Sequence, residues 1–179
     1  MKLNAKELRT TPVDTEVAQS IKKHPITIIL DNVLDTYNVG SIFRLADAVA
    51  AEKVILCGQT LTPPNSRIKK ASINTWQWVD WEHAESALEA IAQLKVRNST
   101  LKIIAVEQDV RSKPFYQVKY KFPLAIVVGN ETNGVSKEVL DMADTIVELP
   151  MWGINKSLNV MVSCGIILYE IMKQRTINS

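Results

Sequence analysis

Apolar and polar positions fall along this chain in two kinds of block. Short continuous apolar runs at Ile26–Leu30, Val54–Cys57, Ile103–Val106, Leu124–Val128 and Ile146–Leu149 have the pattern of parallel strands buried on both faces. Between them, Ile42, Leu45, Ala46 and Val49 recur at helical spacing, Ala84–Val96 is amphipathic, and a last helix starts at Ser157–Val160. Trp76–Val79 is predicted as a short strand, preceded by a loop with Pro63, Pro64, Arg67, Lys69 and Lys70. Gln108–Phe122 is read as irregular, and Ser136 as the N-cap of a short helix. Asp14 is placed as the cap of an N-terminal helix that runs to Lys23 and is ended by Pro25. This alternation predicts an α/β fold, a mainly parallel sheet flanked by helices on both faces. Residues 1–24 are expected to form a helical extension and residues 25–179 one domain, with no internal repeat.

Polar residues concentrate in three strand-to-helix turns. The first carries Asn38, Gly40 and Arg44, the second Gly129, Asn130, Glu131 and Gly134, the third Ser157 and Asn159. In an open α/β sheet such turns lie at the carboxyl ends of strands, where ligands bind. Asn38 is expected to cap free backbone N–H groups, and Gly40 to let a ligand or another backbone approach closely. Arg44, expected one turn into its helix, reads either as a phosphate ligand or as a solvated helix arginine. Glu131, at a buried strand end, calls for a partner, for which a nearby Arg would serve; a solvated turn glutamate is the alternative. Ser157 reads as a helix cap, and Asn159 as a buried amide that must be hydrogen-bonded. Ser163, Cys164 and Gly165 would let another helix pack closely. Trp76, Trp78 and Trp81 suit base stacking less well than core and rim packing.

Composition narrows the class. The 179 residues suit one domain with a full core, and a formal net charge of +2 barely favours an anionic partner. Two cysteines without a signal-peptide pattern fit a reducing cytosol, so a cytoplasmic location is expected. His24 and His83 offer no metal-ligand spacing, and no metal is expected. The apolar run Leu158–Met172 is short for a bilayer span and holds Asn159, Ser163 and Glu170, so no membrane partner is expected.

Taken in order, the three turns resemble the motifs of the SpoU (TrmH-like) family of RNA ribose 2′-O-methyltransferases, in the trefoil-knotted SPOUT superfamily. Asn38, Gly40 and Arg44 match the first motif, Gly129, Glu131 and Gly134 the second, and Pro150, Met151 and Ser157–Val160 the third. The match spans about residues 26–172. Asn130 stands where Ser is frequent, Ala50-Ala51 replaces a pair that ends in Gly, and Met161 replaces a small residue.

The resemblance implies a C-terminal knot and S-adenosylmethionine as cofactor, contacted by Gly129, Leu149, Met151 and Leu158 largely through backbone. It implies tRNA or rRNA as substrate, and a homodimer whose catalytic residues cross the interface. Asn38, Arg44, Glu131, Ser157 and Asn159 are the implied catalytic set. Within it Asn38 orients the ribose or Arg44, Glu131 anchors the polar network, and Ser157 and Asn159 fix Arg44 and the pocket wall. A guanidinium resists deprotonation, whereas a general base needs proton affinity near the working pH. Arg44 is therefore read as a clamp on the substrate phosphate and the developing alkoxide. Two other readings are a non-catalytic RNA-binding SPOUT relative and a different nucleotide-binding α/β enzyme. Against the latter, no Gly-x-Gly-x-x-Gly or P-loop follows a strand.

Overall fold

The computed structural model describes Glu16 and residues 20–177. Among them, β1 (His24–Asp31), β2 (Ala51–Cys57), β3 (Trp81–Ala84), β4 (Lys102–Val106), β5 (Lys113–Pro114), β6 (Leu124–Gly129) and β7 (Thr145–Glu148) form one sheet. Its order is β3-β2-β1-β6-β4-β7-β5, with every pairing parallel. The helices are α1 (Thr36–Ala48), α2 (Ser66–Ser72), α3 (Ala87–Arg97), α4 (Lys137–Met142) and α5 (Val160–Ile177).

The continuous apolar runs are continuous because both faces of the sheet are covered. Along β1, Ile26, Ile28 and Leu30 join the core under α1 and α5, while Ile29 joins the core under α3 and α4. In β6, Leu124, Ile126 and Val128 face the first core, and Ala125 and Val127 the second. On the first face, α1 contributes Val39, Ile42, Phe43 and Ala46 and α5 contributes Cys164, Ile167, Leu168 and Ile171.

Two glycines and a cysteine hold the helices on that face together. A Cβ on Gly40 would lie 2.6 Å from Ala71 Cβ and 2.8 Å from the Ile68 carbonyl oxygen, so this motif glycine admits the α2 backbone. On α5, Cys164 is fully buried and a Cβ on Gly165 would meet Leu45 Cδ2 at 3.3 Å. Gly165 therefore lets the last helix pack against α1 of the same chain, whereas Ser163 lines a cavity.

Several local expectations are corrected. The basic loop contains α2, capped by Asn65, whose Oδ1 accepts from Arg67 N–H at 2.9 Å. Trp76 lies in a 3-10 turn, Thr75–Gln77, and the strand begins only at Trp81, which pairs with Val54. The tryptophan spacing serves packing: Trp76, Trp78 and Trp81 lean on the first core, and Trp78 Nε1 donates to Asp47 Oδ1 at 2.7 Å. The segment expected to be irregular holds the two-residue β5. Ala84 belongs to β3, so α3 starts later than its apolar pattern suggested. The helix expected over Asp14–Lys23 falls largely outside the described residues; Glu16 and Ser20 are helical, but residues 21–23 are not. Among the described residues no helix is long and apolar enough to cross a membrane.

Candidate active site

The three polar turns follow β1, β6 and β7; the second and third line one cavity with the end of β4, and hydrogen bonds from Asn38 tie the first turn to them. After β6 the chain folds back on itself. Asn130 N–H donates to the Gly134 carbonyl at 3.0 Å, and Gly134 N–H to the Asn130 carbonyl at 2.9 Å. Asn130 Oδ1 also accepts from Thr132 and Asn133 N–H, at 2.9 and 3.0 Å. This closed turn leaves no room at Gly129, where a Cβ would strike the Gly134 carbonyl carbon and Val135 N.

Glu131, thrust out by that turn, finds backbone and amide donors, neither the arginine that would serve it nor solvent alone. Its Oε2 accepts from Leu34 N–H at 3.1 Å, and its Oε1 from Asp35 N–H at 3.0 Å and Asn38 Nδ2 at 2.9 Å. Burial pushes its pKa up, but the hydrogen bonds from Asn38, Leu34 and Asp35 outweigh it and hold the carboxyl below its ordinary range. Glu131 thus fixes the start of α1 from 97 residues away.

Asn38 does not cap α1. Asp35 does, accepting from Tyr37 N–H at 2.8 Å. Asn38 is the third helical residue, only 5% exposed, and its amide needs partners on both sides. Nδ2 is used on Glu131, and Oδ1 accepts from Asn159 Nδ2 at 3.0 Å. The chain of bonds Asn159–Asn38–Glu131 therefore joins all three motifs.

The third motif is built differently from its sequence reading. Asn159, exposed and just outside α5, is the residue that caps it, accepting from Met161 N–H at 2.9 Å and Val162 N–H at 3.4 Å. Ser157 precedes the helix, caps nothing, and bonds Asn155 Oδ1 through its own N–H (3.1 Å) and hydroxyl (3.2 Å). Ser136 likewise sits at the N-cap of α4 without capping it, because its hydroxyl donates to Asp31 Oδ2 at 2.7 Å.

Arg44 is the outlier. It lies more than two turns into α1, beyond the single turn expected, and is exposed. Neither it nor Asn38 lines the cavity beside the other motifs, and neither Ser157 nor Asn159 bonds it. No ion pair among the described residues holds its guanidinium.

That cavity, of about 500 Å³, has the size of a small-molecule site. Gly129, Leu149, Met151 and Leu158, the four expected cofactor contacts, all line it, together with Glu131, Ser157 and Asn159. Val106, Val128, Val147 and Val160 add apolar wall. Glu107, Glu131 and Glu148 set three carboxylates against the single ammonium of Lys156. S-adenosylmethionine fits such a site: apolar walls with the Gly129 and Leu149 backbone among them suit an adenine, and an acidic lining suits a sulfonium and an ammonium. Glu107 belongs to none of the three polar turns. Its only signal was a carboxylate directly after a buried parallel strand.

Comparison with known proteins agrees with this geometry. The profile of the SpoU rRNA Methylase family matches residues 25–169. The chain is 33% identical over 160 residues to a tRNA (guanosine(18)-2′-O)-methyltransferase of Aquifex aeolicus, covering 86% of this chain and 72% of the relative. It is 29% identical to a 23S rRNA (guanosine-2′-O-)-methyltransferase RlmB of Ralstonia nicotianae, covering 90% of this chain and 64% of that one. Among solved structures, the AdoMet-bound rRNA methyltransferase from Sinorhizobium meliloti superposes with a TM-score of 0.77 at 26% identity, over 87% of this chain and 59% of its own.

Proposed function

Because this chain belongs to the SpoU rRNA Methylase family, we infer that it transfers a methyl group from S-adenosylmethionine to a ribose 2′-hydroxyl of tRNA or rRNA. The observation that carries this reading is the Asn159–Asn38–Glu131 chain of hydrogen bonds, which ties the three family motifs together at one acidic cavity. Calorimetric titration with S-adenosylmethionine, followed by transfer of its labelled methyl group to RNA, tests it.

Gly129, Leu149, Met151 and Leu158 would hold the cofactor, which supplies an electrophilic methyl group when bound. The protein's own task is placement. Glu131 anchors the start of α1 and Asn38, so the first motif is held rigidly against the second and third. Orientation of this kind is worth up to about 7–11 kcal/mol of barrier for well-placed reactants. Arg44, in no ion pair among the described residues, grips the substrate phosphate and stabilises the developing oxyanion as the hydroxyl proton passes to solvent. Ser157 shapes the pocket wall through Asn155, and Asn159 holds Asn38.

The active unit in this reading is a homodimer in the cytoplasm. Val162 (39% exposed), Ile166 (37%) and Tyr169 (58%) follow one another at helical spacing on α5, an apolar stripe that a second copy would cover. Pairing also gives Arg44 a cavity to act on, that of the partner, since it does not line its own. Residues 25–179 form the methyltransferase domain and residues 1–24 an extension. The C-terminal trefoil knot agrees with the family and with β7 being inserted between the earlier strands β4 and β5.

A further inference from the structure

The floor of the cavity contains a carboxylate that the three motifs do not account for. Glu107 follows β4 directly, and its N–H donates to the Val147 carbonyl at 3.0 Å, which continues the pairing with β7. Its side chain is held by two backbone donors. Oε2 accepts from Val135 N–H at 2.8 Å and Oε1 from Gln108 N–H at 2.8 Å. Each oxygen is thus engaged once, whereas an ionised carboxylate has about four acceptor sites. One on each oxygen remains.

The second motif makes way for this carboxylate. Gly134 has φ +68°, and a Cβ there would run into Glu107 Oε2. The terminal glycine of that motif therefore both forms the turn and lets the carboxylate sit in the cavity wall. A carboxylate with two free acceptor sites, one per oxygen, complements two neighbouring hydroxyl donors. Inside a pocket that suits S-adenosylmethionine, the group with that pattern is the ribose 2′,3′-diol. Carboxylates at the ends of parallel strands recognise ribose hydroxyls in the same chemical way in dinucleotide sites.

We propose that Glu107 is the ribose-recognition residue of the cofactor pocket, its two carboxylate oxygens accepting from the 2′- and 3′-hydroxyls of S-adenosylmethionine. The proposal rests on the cofactor assignment above but adds a residue outside the three motifs. It also separates two kinds of glutamate in one site. Glu131 accepts three bonds from protein donors and shapes the site, whereas Glu107 accepts two and keeps one acceptor site on each oxygen for the ligand.

The test is a binding cycle by calorimetry at neutral pH, with S-adenosylhomocysteine and its 2′,3′-dideoxy analogue as ligands and the parent and Glu107→Gln proteins as hosts. Gln keeps one oxygen for Val135 N–H, and thermal unfolding without ligand checks that the variant folds. The parent should bind the dideoxy analogue at least tenfold more weakly than S-adenosylhomocysteine, and Glu107→Gln should lose most of that preference. Equal weakening of both ligands by the substitution would reduce Glu107 to a support of the Gly134 turn and overturn the proposal. So would a parent that binds both ligands alike, a result that needs no variant. A parent that binds neither ligand would overturn the cofactor assignment itself.

Discussion

Asn38 and Glu131 stand 93 residues apart in sequence, and the Asn38 amide donates to the Glu131 carboxylate at 2.9 Å. Through this contact the helix after the first strand is positioned by the turn after the sixth. Asn38→Ala would leave Asn159 without its acceptor and Glu131 with backbone donors alone. Removing a partner from a hydrogen bond to a charged group costs about 1–3 kcal/mol. Chemical denaturation should register a loss of that size, with a matching loss in the Glu131→Gln variant. A double-mutant cycle should show the two losses to be non-additive; additive losses would mean that the contact does not couple the motifs.

The same carboxylate sets an acid limit. Its folded pKa lies below the ordinary value of about 4.3. The stability it contributes is therefore fully present above that value and is lost as pH falls through the lower folded one. Thermal unfolding of parent and Glu131→Gln between pH 7 and pH 3 should show a gap that is constant near neutrality and closes in acid. A gap that widens on acidification would contradict the sign of the shift.

Gly129 offers the most severe single change in the cavity. Even Ala there would drive its Cβ into the Gly134 carbonyl carbon and Val135 N. Gly129→Ala should abolish detectable S-adenosylmethionine binding in calorimetry, and Gly129→Val should do so with a larger loss of stability. The cause is collapse of the Asn130–Gly134 turn rather than direct contact with the cofactor. Parent-like binding in the Ala variant would mean that the turn is not a wall of the pocket.

How far the sequence carries this account depends on what each signal measures. Buried parallel strands are legible because both faces are apolar, so β1, β4, β6 and β7 were located within a few residues. The three motifs were legible as glycine-bearing turns, and they do converge. Their wiring was not legible, since residue type does not specify a partner. Glu131 bonds backbone N–H groups and an amide where either an arginine or solvent fits its residue type, and Asn159 has the capping role read for Ser157. Helix α2 is not legible in the sequence because only Ile68 and Ser72 of its seven residues are buried, too few to show a period. The tryptophans imitated a strand because they alternate, although Trp76 and Trp78 lie in and after a 3-10 turn.

Arg44 separates cofactor binding from chemistry. It is exposed and does not line the cavity of its own chain, so Arg44→Ala should leave S-adenosylmethionine affinity within a few-fold. Methyl transfer to RNA should fall by about two to three orders of magnitude, the usual cost of one transition-state donor. Arg44→Lys keeps the charge but loses the planar fork, and should remain well below the parent. Near-parental turnover in both variants would make Arg44 a solvated helix residue.

The activity itself is tested most directly by incubating the protein with methyl-labelled S-adenosylmethionine and either total tRNA or rRNA, then digesting the RNA to nucleosides for mass spectrometry. The account predicts a labelled 2′-O-methylnucleoside, with the label on the ribose fragment. Label on a base, or no transfer to either RNA by a protein that binds the cofactor, would contradict it.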